Sequence, residues 1–277
     1  MIHSSAEELE QLEIELLLEA LYRRYGYDFR DYFYESARRR ILRRIQRNQL
    51  KSVAALQHAM LHDETVADEL LKDLSINVTE MFRDAGFYQT LREQVLPQLS
   101  TEEHLKIWHA GCSSGEEVYS MAILLTELEL YSYSRLYATD FNVAILERAM
   151  EGICPLGEMS RNISNYQSAG GRGDFSDYYH ARYEHAVMSN GLKENIVFAE
   201  HDLAIHDSFG EMNMIVCRNV MIYFNQSLKD RVFQLFSESL DEGGILCLGS
   251  HESLQSGVLN QYFEPLYPEQ RIYRKIA

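Results

Sequence analysis

The sequence predicts an α/β protein in which a helical N-terminal part precedes a mostly parallel sheet. Two observations point there. Residues 1 to about 75 contain no proline, and their apolar residues recur at intervals of three and four. From about Leu105 onward, apolar strand-like runs alternate with helical ones, the pattern of parallel strands joined by crossover helices.

The first helix begins in "SSAEELEQLEIELLLEA", where Leu9, Leu12, Leu16 and Leu17 are expected on one face. A basic helix follows. Between Ser36 and Lys51 stand seven basic residues and no acidic one. Arg39, Arg43 and Arg47 share a helical face with Arg40 and Arg44 beside them, and Ile41, Leu42 and Ile45 point to a core. Neighbouring positive charges repel, which favours an acidic partner over a purely solvated face.

The sheet reads in order. "LKIWHAG" is a strand and "EEVYSMAILLTELEL" a helix; "RLYATD" is a strand and "NVAILERAMEG" a helix. "ENIVFAEHDL" and "NMIVCRN" are strands, "LKDRVFQLFSESL" a helix, and "GGILCLGS" and "QRIYRKI" two further strands. Between the second helix and "KENIVF" lies an irregular stretch rich in Gly, Tyr, Ser and Asn, either a small hairpin subdomain or a flexible loop.

Composition narrows the function. The formal net charge of −16 argues against general nucleic-acid binding, which needs a basic surface. No run of about 18 apolar residues is present, so no transmembrane helix is expected, and the acidic N-terminus lacks the basic start of a secretory signal. Cys112, Cys154, Cys217 and Cys247 lie far apart without zinc spacing, and read as reduced core thiols. His58 and His62 are four apart, but no acidic catalytic partner accompanies them, so no metal is expected.

Three strand ends carry chemistry. Gly111 and Gly115 bracket a tight turn after the first strand, where backbone N–H groups can approach a ligand. Glu116 and Glu117 begin the next helix; they suit its dipole, and they would also repel a phosphate and attract an ammonium. Asp140 ends the second strand, where an acid accepts bonds from ribose hydroxyls. The combination fits NAD or S-adenosylmethionine, and the glutamates favour the latter. In "CRNVMIYF", Arg218 and Asn219 follow the fourth strand, at the same ligand-bearing edge. Upstream, in "SINVTEMFRD", Thr79 and Arg83 have the spacing of one helical face.

The pieces "NVTEMFRD", "IWHAGCSSGEEVYSMA", "YATDFNVAILERAMEGI", "IVCRNVMIYF" and "DEGGILCLGSHESL" together resemble the CheR-type chemotaxis receptor methyltransferases. The resemblance covers nearly the whole chain. It implies a Rossmann-like S-adenosylmethionine-dependent methyltransferase sheet, an all-helical N-terminal domain over 1–88, a methyltransferase domain over 89–277 and a small inserted β-subdomain over 160–195. It implies cofactor contacts from Asn77, Thr79, Arg83, Gly111, Glu117, Asp140, Asp202, Leu203, Asn219 and Val220, with Arg83, Arg218 and Tyr223 flanking methyl transfer. The reaction implied is esterification of glutamate side chains on the cytoplasmic helices of a chemoreceptor, releasing S-adenosylhomocysteine. Arg39, Arg40, Arg43, Arg44 and Arg47 would dock those helices. The expected protein is a cytoplasmic monomer that uses no metal and binds no nucleic acid.

The chain departs from the family pattern at Met81, Val118, Asp202, His109 and "GSHESL". Its Gly- and Tyr-rich insert is unlike that of members tethered to a receptor tail, so tether-independent action is expected. A cofactor-sensing domain without turnover is the competing reading. The prolines that amino-directed nucleic-acid methyltransferases carry after the fourth strand are absent from "CRNV".

Overall fold

The computed structural model describes residues 5–75, 79–99, 104–252 and 261–276. The chain forms two compact units, Met1–Ile76 with Tyr223–Arg231, and Asn77–Ile222 with Val232–Ala277.

The helical unit contains α1 (Ala6–Tyr25), α2 (Tyr34–Arg47), α3 (Val53–His62) and α4 (Glu64–Leu74). Side chains set the boundaries. Ser5 and Glu8 form a reciprocal capping box at the start of α1, and Gly26 ends it at φ 85°. Ser52 and Asp63 cap α3 and α4. The buried face of α1 is Ile14, Leu17, Leu18 and Leu21. Of the four leucines read as one face, only Leu17 is buried, while Leu9, Leu12 and Leu16 are about half exposed. Two apolar seams overlap in this helix, and the one at 14, 17, 18 and 21 is the one that packs.

The second unit is built on a seven-stranded sheet. Its strands are β1 (Leu105–Ala110), β2 (Ser134–Asp140), β6 (Ile196–Glu200), β7 (Met212–Cys217), β8 (Leu240–Leu248), β9 (Phe263–Tyr267) and β10 (Ile272–Lys275). Their order is β6-β2-β1-β7-β8-β10-β9. The first five pair in parallel, and β10 pairs antiparallel with β8 and β9. Crossovers include α7 (Glu116–Glu127), α8 (Val143–Glu151) and α10 (Gln226–Ser239), while α5 (Ala85–Thr90) and α6 (Leu96–Leu99) precede β1. The predicted α/β sheet is therefore present. The strand missed by periodicity is β9, which carries Pro265; an edge position tolerates a residue without an N–H.

The irregular stretch resolves into ordered elements. The strand β3 (Ile153–Pro155) precedes the helix α9 (Met159–Ser168), and β4 (Tyr179–Arg182) and β5 (His185–Met188) follow it; the three strands form an antiparallel sheet in the order β3-β5-β4. Polar, weak helix formers hide α9 from a periodicity argument, although Met159, Asn162 and Tyr166 lie on one buried face.

Candidate active site

The turn between β1 and α7 is held by backbone geometry. Gly111 and Gly115 have φ of +78° and +93°, and a Cβ on Gly111 would lie 2.5 Å from a Val220 methyl. The Gly111 and Cys112 amides donate to Thr139 O, and Ser113 N donates to Asp140 Oδ2 at 3.0 Å. Asp140 Oδ1 accepts from Asn142 N, also at 3.0 Å. Asp140 thus ties the end of β2 to the glycine turn. The Phe141 amide also bonds this carboxylate, and of its roughly four acceptor sites one is left for a ligand hydroxyl. Burial raises its pKa, and the backbone amides of Asn142 and Ser113 counter that only in part.

Arg218 follows β7 with its side chain 2% exposed. Its Nη2 donates to Asp84 Oδ2 at 2.6 Å and to Arg83 O at 3.2 Å, its Nη1 to Glu117 Oε2 at 3.2 Å, and the guanidinium stacks 4.1 Å from the Phe87 ring centroid. A buried guanidinium needs such compensation. Burial opposes its charge, but Glu117 and Asp84 outweigh that and raise its pKa. The other oxygen of Glu117 lies 3.0 Å from His109 Nδ1, on β1. Burial disfavours the Glu117 carboxylate, yet the His109 hydrogen bond and the Arg218 charge hold its pKa below the ordinary value. The result is a chain of four polar side chains, Asp84, Arg218, Glu117 and His109.

Asn219 adopts φ 62°, a left-handed conformation uncommon outside glycine. Glu252 enforces it. Its buried carboxylate accepts the amides of Asn219, Met221 and Gly249 at 2.9, 2.8 and 2.7 Å. Gly249 has no room for a side chain, since a Cβ would sit 2.7 Å from Asn219 N. Glu252 and Gly249 were quoted in the sequence only as part of a motif. Their signal was a carboxylate and a glycine just beyond an apolar strand.

The segment 79–84 is not helical, which corrects the expectation that Thr79 and Arg83 share a helical face. Phe82 and Asp84 both have positive φ, 52° and 61°, and this turns the chain twice. Side chains brace it. Ser120 Oγ accepts from Phe82 N at 2.9 Å, Asn162 Oδ1 accepts from Met81 N at 3.2 Å, and Asn165 Nδ2 donates to Met81 O at 3.0 Å. Sequence reasoning passed over Asp84, Ser120, Asn162 and Asn165, because their partners, the Arg218 guanidinium for Asp84 and backbone groups for the other three, are distant in sequence.

The remaining expected residues fall as follows. Asn77 lies outside the described residues. Thr79 and Arg83 are half-buried in the braced segment. After β6, Asp202 Oδ1 accepts from Ala204 N at 2.8 Å, and Leu203 is buried beside it. Val220 faces Gly111. Tyr223 belongs to the helical unit, where its carbonyl accepts from Phe33 N and Arg40 lies 5.9 Å from its ring centroid.

On α2, Arg44 is buried between Glu69 and Asp73, both at 2.6 Å. Arg47 pairs with Asp73 at 2.8 Å and Arg40 donates to Asp73 O at 3.1 Å. These contacts to α4 relieve much of the repulsion expected within α2. Arg39 and Arg43 are exposed with no acidic partner among the described residues.

The donor set at the sheet edge suits S-adenosylmethionine. Glu117 offers a carboxylate to an ammonium, and Asp140 offers one to hydroxyls. Ser113 Oγ and Asn219 Nδ2 are buried without a hydrogen-bond partner, which leaves polar atoms for a ligand to satisfy. Among the described residues no group of three or more His, Cys, Asp or Glu could hold a metal ion.

Comparison with known proteins agrees. Residues 77–269 match the family described as CheR methyltransferase, SAM binding domain, and residues 12–75 match its all-alpha domain. A Pseudomonas putida relative named Cher3 is 47% identical over 95% of this chain and 97% of its own. A protein named Chemotaxis protein methyltransferase, from Listeria monocytogenes, is 30% identical over 86% of this chain and 91% of its own. Vibrio cholerae Chemotaxis protein methyltransferase 2 is 29% identical over 82% and 84%. The chain belongs to the CheR methyltransferase family, whose members use S-adenosylmethionine.

Proposed function

We propose that this protein methylates glutamate side chains on the cytoplasmic helices of a chemoreceptor, without a receptor-tail tether. The observation that carries the reading is how the basic groups at the sheet edge are disposed. Arginines stand there, and His109 is buried with Nδ1 committed to Glu117. Such an edge suits a nucleophile that needs no general base. A glutamate, with a reference pKa of about 4.3, is already ionised near neutral pH.

When bound, S-adenosylmethionine supplies an electrophilic methyl and leaves as S-adenosylhomocysteine. A glutamate oxygen forms the new C–O bond as the C–S bond breaks with its electron pair going to sulfur, and no proton moves. The protein's task is placement, with oxygen and methyl aligned at roughly 3 Å. Glu117 orients the cofactor's ammonium end and Asp140 its ribose, with Thr79, Gly111, Asp202, Leu203, Asn219 and Val220 completing the cofactor contacts. Arg83 holds one oxygen of the substrate carboxylate and leaves the other free. Arg218 acts by fixing Glu117 and Asp84. Arg39 and Arg43 attract the acidic receptor helix. The protein works as a cytoplasmic monomer; no helix among the described residues is long and apolar enough to cross a membrane.

The test is transfer of labelled methyl to purified receptor cytoplasmic fragments. Label released as methanol by mild alkali, and lost when receptor glutamates are replaced by alanine, is expected. Alkali-stable label would reject the ester, and no transfer to any fragment would reject the receptor.

A further inference from the structure

The face of α1 that does not pack carries Leu9, Leu12 and Leu16, 53%, 50% and 50% exposed. Their spacing of three and four is that of a helix-docking seam. Beside the seam lies a groove of about 620 Å³, lined by Leu12, Leu16, Leu18, Tyr32, Phe33 and Tyr34, all within the helical unit. Phe33 is itself 55% exposed. A contiguous apolar surface of this kind marks a binding site more often than scattered leucines do.

Charge selects the occupant. Glu13 and Glu15 flank the seam on opposite sides of the helix, and neither has a basic partner among the described residues. Glu19 at the groove is paired with Arg23 at 2.6 Å and Arg30 at 2.9 Å. A second copy docking seam to seam would set acidic flanks against acidic flanks, which is unfavourable. An acidic receptor helix would be repelled in the same way, whereas α2 presents Arg39 and Arg43 to such a helix.

We propose that the outer face of α1 and its groove dock a basic amphipathic helix of a second protein, distinct from the methyl acceptor. Leucine-type side chains of the partner would fill the groove between Leu12, Leu16 and Phe33, with its lysines or arginines over Glu13 and Glu15. This surface is independent of the methyl-transfer chemistry.

The probe is a fluorescent 18-residue helical peptide with leucines at heptad a and d positions and lysines flanking them. A matched peptide carries glutamates instead. Anisotropy with the full chain should show binding of the lysine peptide alone. Leu12→Ser with Leu16→Ser should weaken it at least tenfold while leaving every protein charge in place. Equal binding by that variant would mean charge attraction only and would overturn the proposal. So would equal binding of both peptides, or of neither. A wild-type dimer in sedimentation that the serine variant dissolves would assign the face to a second copy. Should the serine variant fail to fold, Glu13→Lys with Glu15→Lys serves instead. It should invert the peptide preference, and an unchanged preference would reject the surface.

Discussion

At the sheet edge Arg218 is 2% exposed with carboxylates on both terminal nitrogens, while on α2 Arg39 and Arg43 stand exposed without an acidic partner. The same side chain serves two purposes. Out of water, a guanidinium needs its charge paired and its terminal nitrogens hydrogen-bonded, and the pairing fixes the positions of its partners. In water it costs little, fixes nothing, and acts at a distance that salt can screen. Arg44 shows that the division follows environment and not sequence neighbourhood. It adjoins Arg43 yet is buried between Glu69 and Asp73.

The comparison can be broken most forcefully at Arg218. Arg218→Ala leaves Glu117 and Asp84 without their cation, and should cost about 3–5 kcal/mol in denaturant unfolding. A loss no larger than that of a surface variant would mean that the ion pairs do not persist in solution. Arg44→Ala should fall in the lower part of the same range, because Glu69 is partly open to water, while Arg43→Ala should leave unfolding unchanged. Equal effects for the neighbours would erase the contrast.

Glu252→Gln replaces a buried acceptor of three backbone amides by a group that is half donor. It should cost about 1–3 kcal/mol and weaken S-adenosylhomocysteine binding by calorimetry as the Asn219 turn relaxes. Retained affinity would detach that turn from the cofactor.

A smaller effect concerns pH. The carboxyl of Glu117 is held below its ordinary value, so its contribution to stability is complete above the unfolded pKa of about 4.3 and is lost as pH falls through the folded value. Glu117→Gln should therefore lower stability at neutral pH, with the gap to wild type closing in acid. A constant gap would reject the linkage.

The smallest stability effect and the largest salt effect belong to α2. Arg39→Glu with Arg43→Glu should leave unfolding and cofactor binding unchanged. Receptor methylation should drop several-fold at low salt, with the difference shrinking as salt rises. Loss of cofactor affinity in that variant would make α2 structural.

Much of the sheet was legible because parallel strands buried on both faces read as apolar runs between helices, and because glycines mark where backbone must turn tightly. Gly111, Asp140 and Arg218 could be found as strand-end residues for that reason. Strand β9 and helix α9 were not legible, since an edge strand tolerates Pro265 and a polar helix carries little periodicity. Local spacing misled where two answers shared one pattern. In α1 both leucine seams fit a helix, and in 79–84 an i, i+4 spacing fell on a segment with two left-handed residues.

The sequence by itself determined the alternation of elements, the strand-end chemistry and the excess of positive charge on α2. These follow from backbone periodicity and from side-chain identity, which act over a few residues. Tertiary structure alone decided which leucines of α1 remain outside, which arginines are neutralised, and that Glu252 builds the turn at Asn219. Those outcomes depend on groups far apart in the chain meeting out of water, where each buried charge and each backbone amide must find its partner.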